Sequence, residues 1–172
     1  MKNYEQQAVK HPDHSGAARV GEAGGFAGRY TAVPHNVRVS QMLGLKSAHT
    51  STLGMATAVS NGLPKTALKR VASEISRDPR IRQRVSDQII SRATLKRRGL
   101  RLKEEESGRL ERIARLMAYA EWVWDSKADA QAFMVTSNKA LNDLSPIDIA
   151  TSDAGVRAVE EVLNRVYYGL PV

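Results

Sequence analysis

The sequence has 172 residues, with 26 Lys and Arg against 18 Asp and Glu, a net charge of +8 and no cysteine. This length suits one domain or two small ones, and the lack of cysteine excludes disulfides, thiolate metal sites and thiol catalysis. No apolar run approaches the ~20 residues of a membrane span. Residues 1–7 lack the apolar stretch of a secretory signal, so we expect a soluble, cytoplasmic protein with no membrane partner.

The positive charge is concentrated in one part of the chain. Residues 65–103 contain thirteen basic and three acidic residues, a net charge of +10, whereas residues 1–64 carry +3 and residues 104–172 carry −5. A basic block of this kind is typical of a nucleic-acid-binding face. A solvated helical surface remains the alternative, and an aromatic content of 5% is too low for a protein that stacks many bases.

The first third of the chain contains little regular pattern. Residues 1–36 are rich in Gly, Ala and His, and we predict a flexible N-terminal arm there. Residues 37–62 are predicted to form a short helical segment with a possible role in dimerisation. Its apolar positions at helical spacing are Val39, Met42 and Leu43, followed by a stop at Gly44 and an apolar piece over 55–59.

Residues 63–124 give the clearest helical signals. Pro64 predicts the first turn of a helix, Asp78-Pro79 separates this helix from the next, and Ser91 is a good N-cap for a short third helix that Gly99 ends. The longest helix is predicted to begin at Lys103 with acidic residues in its first turn. Its apolar stripe comprises Leu110, Ile113, Met117, Ala120 and Trp124.

Residues 125–172 are predicted to contain two short helices and a longer final one. The short helices cover about 128–134 and 146–149, with a loop over 138–144 between them. The final helix covers about 153–168 and ends at Gly169. Its predicted inward positions are Val156, Val159, Leu163 and Val166. No segment alternates as a strand does, so the predicted fold class is all-α.

The sequence offers little support for catalysis. All four histidines lie in the first 49 residues, and His11 and His14 lack further ligands of the number that a metal site needs. Glu104, Glu105 and Glu106 are consecutive, so they point around a helix instead of facing one another. Phosphate-binding loops and nucleophile motifs are missing. We therefore expect neither an enzyme nor a metal or cofactor site.

Two short helices over 81–90 and 92–98 follow helix-turn-helix spacing. The second would present base-reading residues near its N-terminus and flanking cations to phosphates, with Leu95 as the inward anchor. The predicted DNA-binding residues are Ser91, Arg92, Thr94, Lys96, Arg97, Arg98 and Arg101. The turn has no glycine, so a surface helix of a bundle remains an alternative.

Several spaced motifs between residues 37 and 172 resemble the Xre/MbcA/ParS antitoxins of bacterial type II modules, the partners of RES-domain toxins. Residues 91–98, Ser-Arg-Ala-Thr-Leu-Lys-Arg-Arg, resemble the pattern S-x-R-T-L-x-R-R, and residues 106–112 resemble E-S-x-R-L-x-R. The C-terminal matches are Asn138-Lys139-Ala140-Leu141, Ser145-Pro146-Ile147-Asp148, Gly155-Val156-Arg157, Val159-Glu160, Leu163-Asn164-Arg165 and Tyr168-Gly169. The sequence departs from the family pattern at Ala93 and at Asn142-Asp143.

The resemblance implies an Xre-like helix-turn-helix domain over 63–124, which represses its own operon, and a small helical toxin-binding domain over 125–172. It implies a homodimer within a larger complex with a RES-domain toxin, whose NAD-consuming site the C-terminal region covers, so that this chain itself needs no cofactor. The predicted toxin-binding residues are Asn138, Leu141, Arg157, Arg165, Tyr168, Gly169, Leu170, Pro171 and Val172. A stand-alone transcription regulator with a C-terminal dimerisation domain, or an adaptor bundle, would be the alternatives.

Overall fold

The computed structural model describes residues 33–45 and 49–171, with side chains from residue 36 onward. In these ranges the chain forms nine α-helices and no strand, so the all-α prediction is confirmed. The helices are α1 Val33–Leu43, α2 Thr52–Ser60, α3 Lys65–Ile75, α4 Pro79–Ile89, α5 Arg92–Arg97, α6 Glu104–Trp124, α7 Lys127–Val135, α8 Pro146–Ile149 and α9 Asp153–Tyr167. The predicted arm lies outside the described residues up to residue 32, and α1 begins four residues before the predicted boundary at 37.

The helices of the basic block begin where their capping residues predict. Pro64 precedes α3, and the Asp78 side chain accepts a hydrogen bond of 2.7 Å from the Arg80 N–H at the start of α4. The Ser91 hydroxyl accepts from the Thr94 N–H at 3.2 Å and so caps α5. The Asp78 and Ser91 side chains each satisfy a backbone donor that the first helical turn leaves without an intrahelical partner, whereas Pro64 makes no such bond. Local sequence therefore defines these three starts.

Helix α6 lies at the centre of the fold. It packs against α1, α2, α3, α7 and α9, and one hydrophobic core runs from α1 to α9. The predicted stripe is buried at Leu110, Ile113, Met117 and Ala120. Trp124, the last predicted position, is half-buried and packs on Phe133 of α7 with a ring separation of 4.7 Å. The two halves of the chain therefore share one central helix.

Helix α9 lies close against α8 and the core. A Cβ at Gly155 would lie 1.9 Å from the Ile149 carbonyl oxygen, so only glycine permits this approach. Val156, Val159 and Leu163 are buried as predicted, but Val166 is half-exposed and Val162 is buried instead. The prediction for Val166 is wrong because the last turn of α9 extends beyond the edge of the core.

A network of charged side chains ties α1 to three other helices. Arg38 of α1 pairs with Glu74 of α3 at 2.6 Å and with Glu121 of α6 at 2.7 Å, and Lys127 of α7 reaches Glu74 at 2.7 Å. Partial burial raises the pKa of Glu74, but the hydrogen bonds from Lys127 and Arg38 outweigh it and hold that pKa below its ordinary value. The ionised carboxylate is therefore the form that the fold stabilises.

A second network joins α4 to α8. The Arg84 guanidinium pairs with the Asp148 carboxylate and donates to the Ser145 hydroxyl at 3.2 Å, while Ser145 donates to Asp148 at 2.6 Å. The Gln88 amide adds a bond of 3.2 Å to the same carboxylate. Partial burial raises the pKa of Asp148, but the bonds from Ser145 and Arg84 prevail and lower it. This contact links the basic block to the C-terminal third.

We expect Asp148→Asn to lower the free energy of unfolding at pH 7. Because the folded-state pKa lies below the ordinary 3.8, the carboxylate contributes stability above pH 3.8 and loses that contribution as the pH falls through the lowered pKa. The stability difference between the parent and variant should therefore shrink towards pH 3. Urea unfolding at pH 7, 5 and 3 measures this difference in unfolding free energy. The control is Asp143→Asn, which removes a carboxylate from an exposed side chain. An equal difference at all three pH values would contradict the assignment.

Candidate functional site

The connection between α4 and α5 is tight, as a helix-turn-helix requires. Ile90 ends α4, with its N–H bonded to the Ser86 carbonyl at 3.0 Å, and Ser91 caps α5 directly. Ser91 and Thr94 also share a hydroxyl–hydroxyl hydrogen bond of 2.9 Å. Leu95 is half-buried and packs against the hydrophobic core, as predicted for the anchor. The short helix is therefore fixed by one apolar contact and its cap.

Helix α5 presents most of its length to solvent. Arg92, Lys96 and Arg97 are exposed, and Ala93 is exposed beside them. None of the six residues of α5 is buried. Three cations on an exposed short helix provide the contacts that hold phosphates, while the N-terminal residues of such a helix reach base edges. The geometry therefore suits a recognition helix in the major groove.

Two of the predicted DNA-binding arginines are engaged within the fold. The guanidinium of Arg98 pairs with Glu106 at the start of α6, and both side chains are largely buried. The guanidinium of Arg101 donates to the Gly62 carbonyl at 2.6 Å. The sequence pattern grouped them with Arg97 because all three follow one another closely. The structure differs from this prediction, because the Arg98 and Arg101 guanidinium groups bind acceptors within the fold that lie eight and 39 residues away in the chain.

A cavity between α3, α4 and α5 brings further cations towards the recognition helix. It has a volume of about 480 Å³, an apolar floor that includes Leu68 and a rim that includes Lys69 and Arg82 as well as Arg92 and Lys96. Within the described part of the chain, no acidic residue lines it. Lys69 and Arg82 were missed because helical spacing does not show that α3 and α4 converge on α5.

The predicted toxin-binding residues divide into a buried and an exposed group. Leu141 is 4% exposed and belongs to the core, so it supports the fold instead of offering a contact surface. The Asn138 side chain accepts a bond of 2.9 Å from the Ala140 N–H and caps the 3-10 turn Lys139–Leu141. Arg157 and Arg165 are exposed on α9, and Arg165 pairs with Glu161 at 2.8 Å. Exposed positions 157, 161, 165 and 168 lie on one face of α9 by their spacing.

The end of α9 is fixed by its backbone. Gly169 has a φ of +64° and donates to the Val166 carbonyl at 3.1 Å, while the Leu170 N–H donates to the Arg165 carbonyl at 2.8 Å. These two bonds form a Schellman motif. Tyr168 and Leu170 are each 55% exposed on either side of Gly169, and Pro171 follows. Val172 lies outside the described residues. An ordered, partly apolar tip therefore projects from the last helix.

Metal and membrane sites find no structural counterpart in the described ranges. Between residues 33 and 171, apart from 46–48, no group of three His, Cys, Asp or Glu side chains could hold a metal ion. His11 and His14, for which no metal site is expected, lie outside those residues. No helix that the structure describes is long and apolar enough to cross a membrane.

Two family models match the chain; the first match ends at residue 115 inside α6 and the second begins at residue 120 of the same helix. Residues 54–115 match the antitoxin Xre-like helix-turn-helix domain, and residues 120–169 match the antitoxin Xre/MbcA/ParS C-terminal toxin-binding domain. No curated protein matches the chain. The helical fold and the two matches support a regulatory protein of the antitoxin class, with a helix-turn-helix part and a toxin-binding part. More particularly, the two matches support an antitoxin of the Xre family, whose partners are DNA and a toxin protein.

Proposed function

We propose that the toxin is a RES-domain protein and that the C-terminal region of this chain covers the toxin's NAD-consuming active site. The tip formed by Tyr168, Leu170 and Pro171 carries the proposal, because an exposed aromatic and aliphatic segment beside a fixed helix end suits insertion into a pocket. The net charge of −5 over residues 104–172 suits a basic pocket that binds a dinucleotide. The NAD site then belongs to the partner, and this chain supplies no cofactor.

The second half of the proposal is repression of the protein's own operon as a homodimer. One recognition helix reads only a half-site, so a palindromic operator requires two copies related by a two-fold axis. The predicted segment 37–62 offers a surface for this contact, since Leu53 of α2 is 77% exposed and Val37 of α1 is 38% exposed. In this arrangement α5 binds DNA and α9 binds the toxin in the bacterial cytoplasm.

The function is tested with the toxin encoded beside this chain. We expect the full chain to restore growth to cells that express the toxin, and to stop NAD consumption by the purified toxin at about one equivalent. In parallel, light scattering measures whether this chain and the toxin form a complex. A complex that forms while NAD consumption continues at its full rate would remove the active-site blockade from the proposal and leave toxin binding intact.

A stand-alone transcription regulator is the competing function. It would use residues 125–172 only for dimerisation, and the match of 120–169 to a toxin-binding domain argues against it. Gene neighbourhood distinguishes the two, because an antitoxin requires an adjacent toxin gene. A homodimer that binds operator DNA but no neighbouring gene product would favour the regulator.

A further inference from the structure

Four aromatic rings form a continuous ladder from α6 to the end of α9. Tyr119 and Trp122 of α6 lie 5.9 Å apart, Trp122 stacks on Tyr167 of α9 at 4.4 Å, and Tyr167 meets Tyr168 edge-on at 5.0 Å. Tyr119 is 8% exposed, whereas Trp122 is 44% and Tyr167 is 43% exposed. The ladder therefore begins in the core and ends on the surface beside the C-terminal tip.

The ladder is held in place at both ends. The Tyr119 hydroxyl donates to the Asn164 side chain and so ties α6 to α9 below the exposed rings. The Schellman bonds of Gly169 and Leu170 fix the backbone at the far end. Rings that are already ordered lose little conformational entropy when a partner binds. Such ordered, half-exposed Trp and Tyr side chains are the residue types that dominate binding energy at protein interfaces.

We propose that Trp122 and Tyr167 form the centre of the toxin-docking surface, and that the tip at Tyr168 and Leu170 extends from this centre into a pocket of the toxin. Both rings belong to the segment that matches a toxin-binding domain, and the contact between Tyr167 and Tyr168 makes the surface continuous with the tip. The surface extends over α6 as well as α9, and neither the family motifs nor the tip includes Trp122. This inference rests on toxin binding by residues 120–169, and it does not depend on the reaction that the toxin catalyses.

The net charge of the matched segment indicates the chemistry of the partner surface. Residues 120–169 contain eight acidic and four basic residues, so the segment that carries the ladder is acidic overall. A complementary toxin surface would offer an apolar pocket for the indole ring, bordered by Lys or Arg. The exposed area of Trp122 would then be buried at the centre of the interface, where water is excluded.

The test compares Trp122→Ala with the parent chain in binding to the neighbouring toxin by calorimetry. Loss of a central aromatic anchor should raise the Kd by about thirtyfold or more. Trp122→Phe keeps a ring against Tyr167 and should raise the Kd by less than about tenfold. The control is Leu100→Ala, which removes a side chain that is 91% exposed outside the toxin-binding segment. Circular dichroism of each variant checks that the fold is retained.

A second measurement follows the two tryptophans of the unmodified sequence directly. With 5-fluorotryptophan incorporated in this chain alone, the fluorine resonance of Trp122 should shift or broaden when unlabelled toxin is added. Trp124 packs on Phe133 and serves as the internal reference. A shift at Trp122 without one at Trp124 supports the docking surface, even where a substitution affects folding.

The possible failures are distinguishable. A Kd for Trp122→Ala within twofold of the parent value, with an unchanged Trp122 resonance, overturns the inference and leaves toxin binding in place. A loss of self-association in Trp122→Ala with unchanged toxin affinity assigns the rings to a second copy and also overturns it. A parent chain that binds the toxin through Trp122 without stopping NAD consumption contradicts the proposed function alone. A parent chain that binds no toxin contradicts both.

Discussion

A chain that carries Tyr168→Ala and Leu170→Asp should lose toxin neutralisation and keep operator binding. Both side chains are 55% exposed, so the stability of the fold should change by no more than about 0.5 kcal/mol at each site. The Schellman bond from the Leu170 N–H to the Arg165 carbonyl involves only backbone atoms and survives the change. In the complex, the variant lacks the aromatic ring and the aliphatic side chain that would fill the toxin's pocket, and truncating such interface anchors costs about 2 kcal/mol each. We expect the Kd for the toxin to rise by about a hundredfold or more.

Growth rescue and NAD consumption by the toxin measure this effect, and a gel-shift assay with operator DNA provides the independent readout. The matched control for toxin neutralisation is Leu100→Asp, which introduces the same charge at a side chain that is 91% exposed and lies outside the toxin-binding segment. Full protection by the tip variant would remove residues 168 and 170 from the inhibitory contact. Loss of DNA binding as well would indicate that the change acts through the fold.

Local signals in the sequence were sufficient to predict most of the helices. Proline, aspartate and serine caps act within three residues, so the starts of α3, α4 and α5 follow from Pro64, Asp78 and Ser91. The departure from the family pattern at Asn142-Asp143 fits the local backbone, because both residues adopt a left-handed conformation, with φ of +56° and +60°, that Asn and Asp tolerate. These features depend only on neighbouring residues.

The parts of the candidate sites that the sequence did not predict depend on contacts between distant segments. Leu141 is buried only because the 3-10 turn packs against α9. Trp122 was not singled out, because an indole on the exposed side of a long helix acquires its stacking partner Tyr167 from a helix 45 residues further on. Helical spacing identifies one face of one helix, and it contains no information on which other helix lies beside that face.

Helix α6 connects the segment that matches a helix-turn-helix domain with the segment that matches a toxin-binding domain. Arg98 at the end of α5 pairs with Glu106 at one end of α6, and the aromatic ladder includes Trp122 at the other. Arg84 of α4 pairs with Asp148 of α8, so a second connection joins the same two regions. The proposed DNA-binding and toxin-binding surfaces therefore lie on one packed unit, although the sequence divides them by charge and by family match.

The largest effect on DNA binding is expected from Arg92→Ala, Lys96→Ala and Arg97→Ala combined. All three side chains are exposed on α5, so their loss should leave the melting temperature nearly unchanged. If each contacts a phosphate, the slope of log K against log salt concentration should become shallower by about 2.7, since each contact contributes ~0.9. Operator affinity should fall by about a hundredfold or more. Fluorescence anisotropy between 50 and 300 mM salt measures both quantities.

Arg98→Ala should give the opposite pattern and so tests the placement of the recognition helix. Its guanidinium pairs with the largely buried Glu106, and removing one member of such a pair leaves a charge without its counter-ion. We expect a loss of about 3 kcal/mol in unfolding free energy, with an unchanged salt slope at temperatures where the variant is folded. A shallower slope for Arg98→Ala, together with an unchanged slope for the triple variant, would move the DNA-binding face from the exposed side of α5 to its C-terminal end. The salt slope decides between these arrangements because it counts phosphate contacts and is insensitive to how the helix is held in the fold.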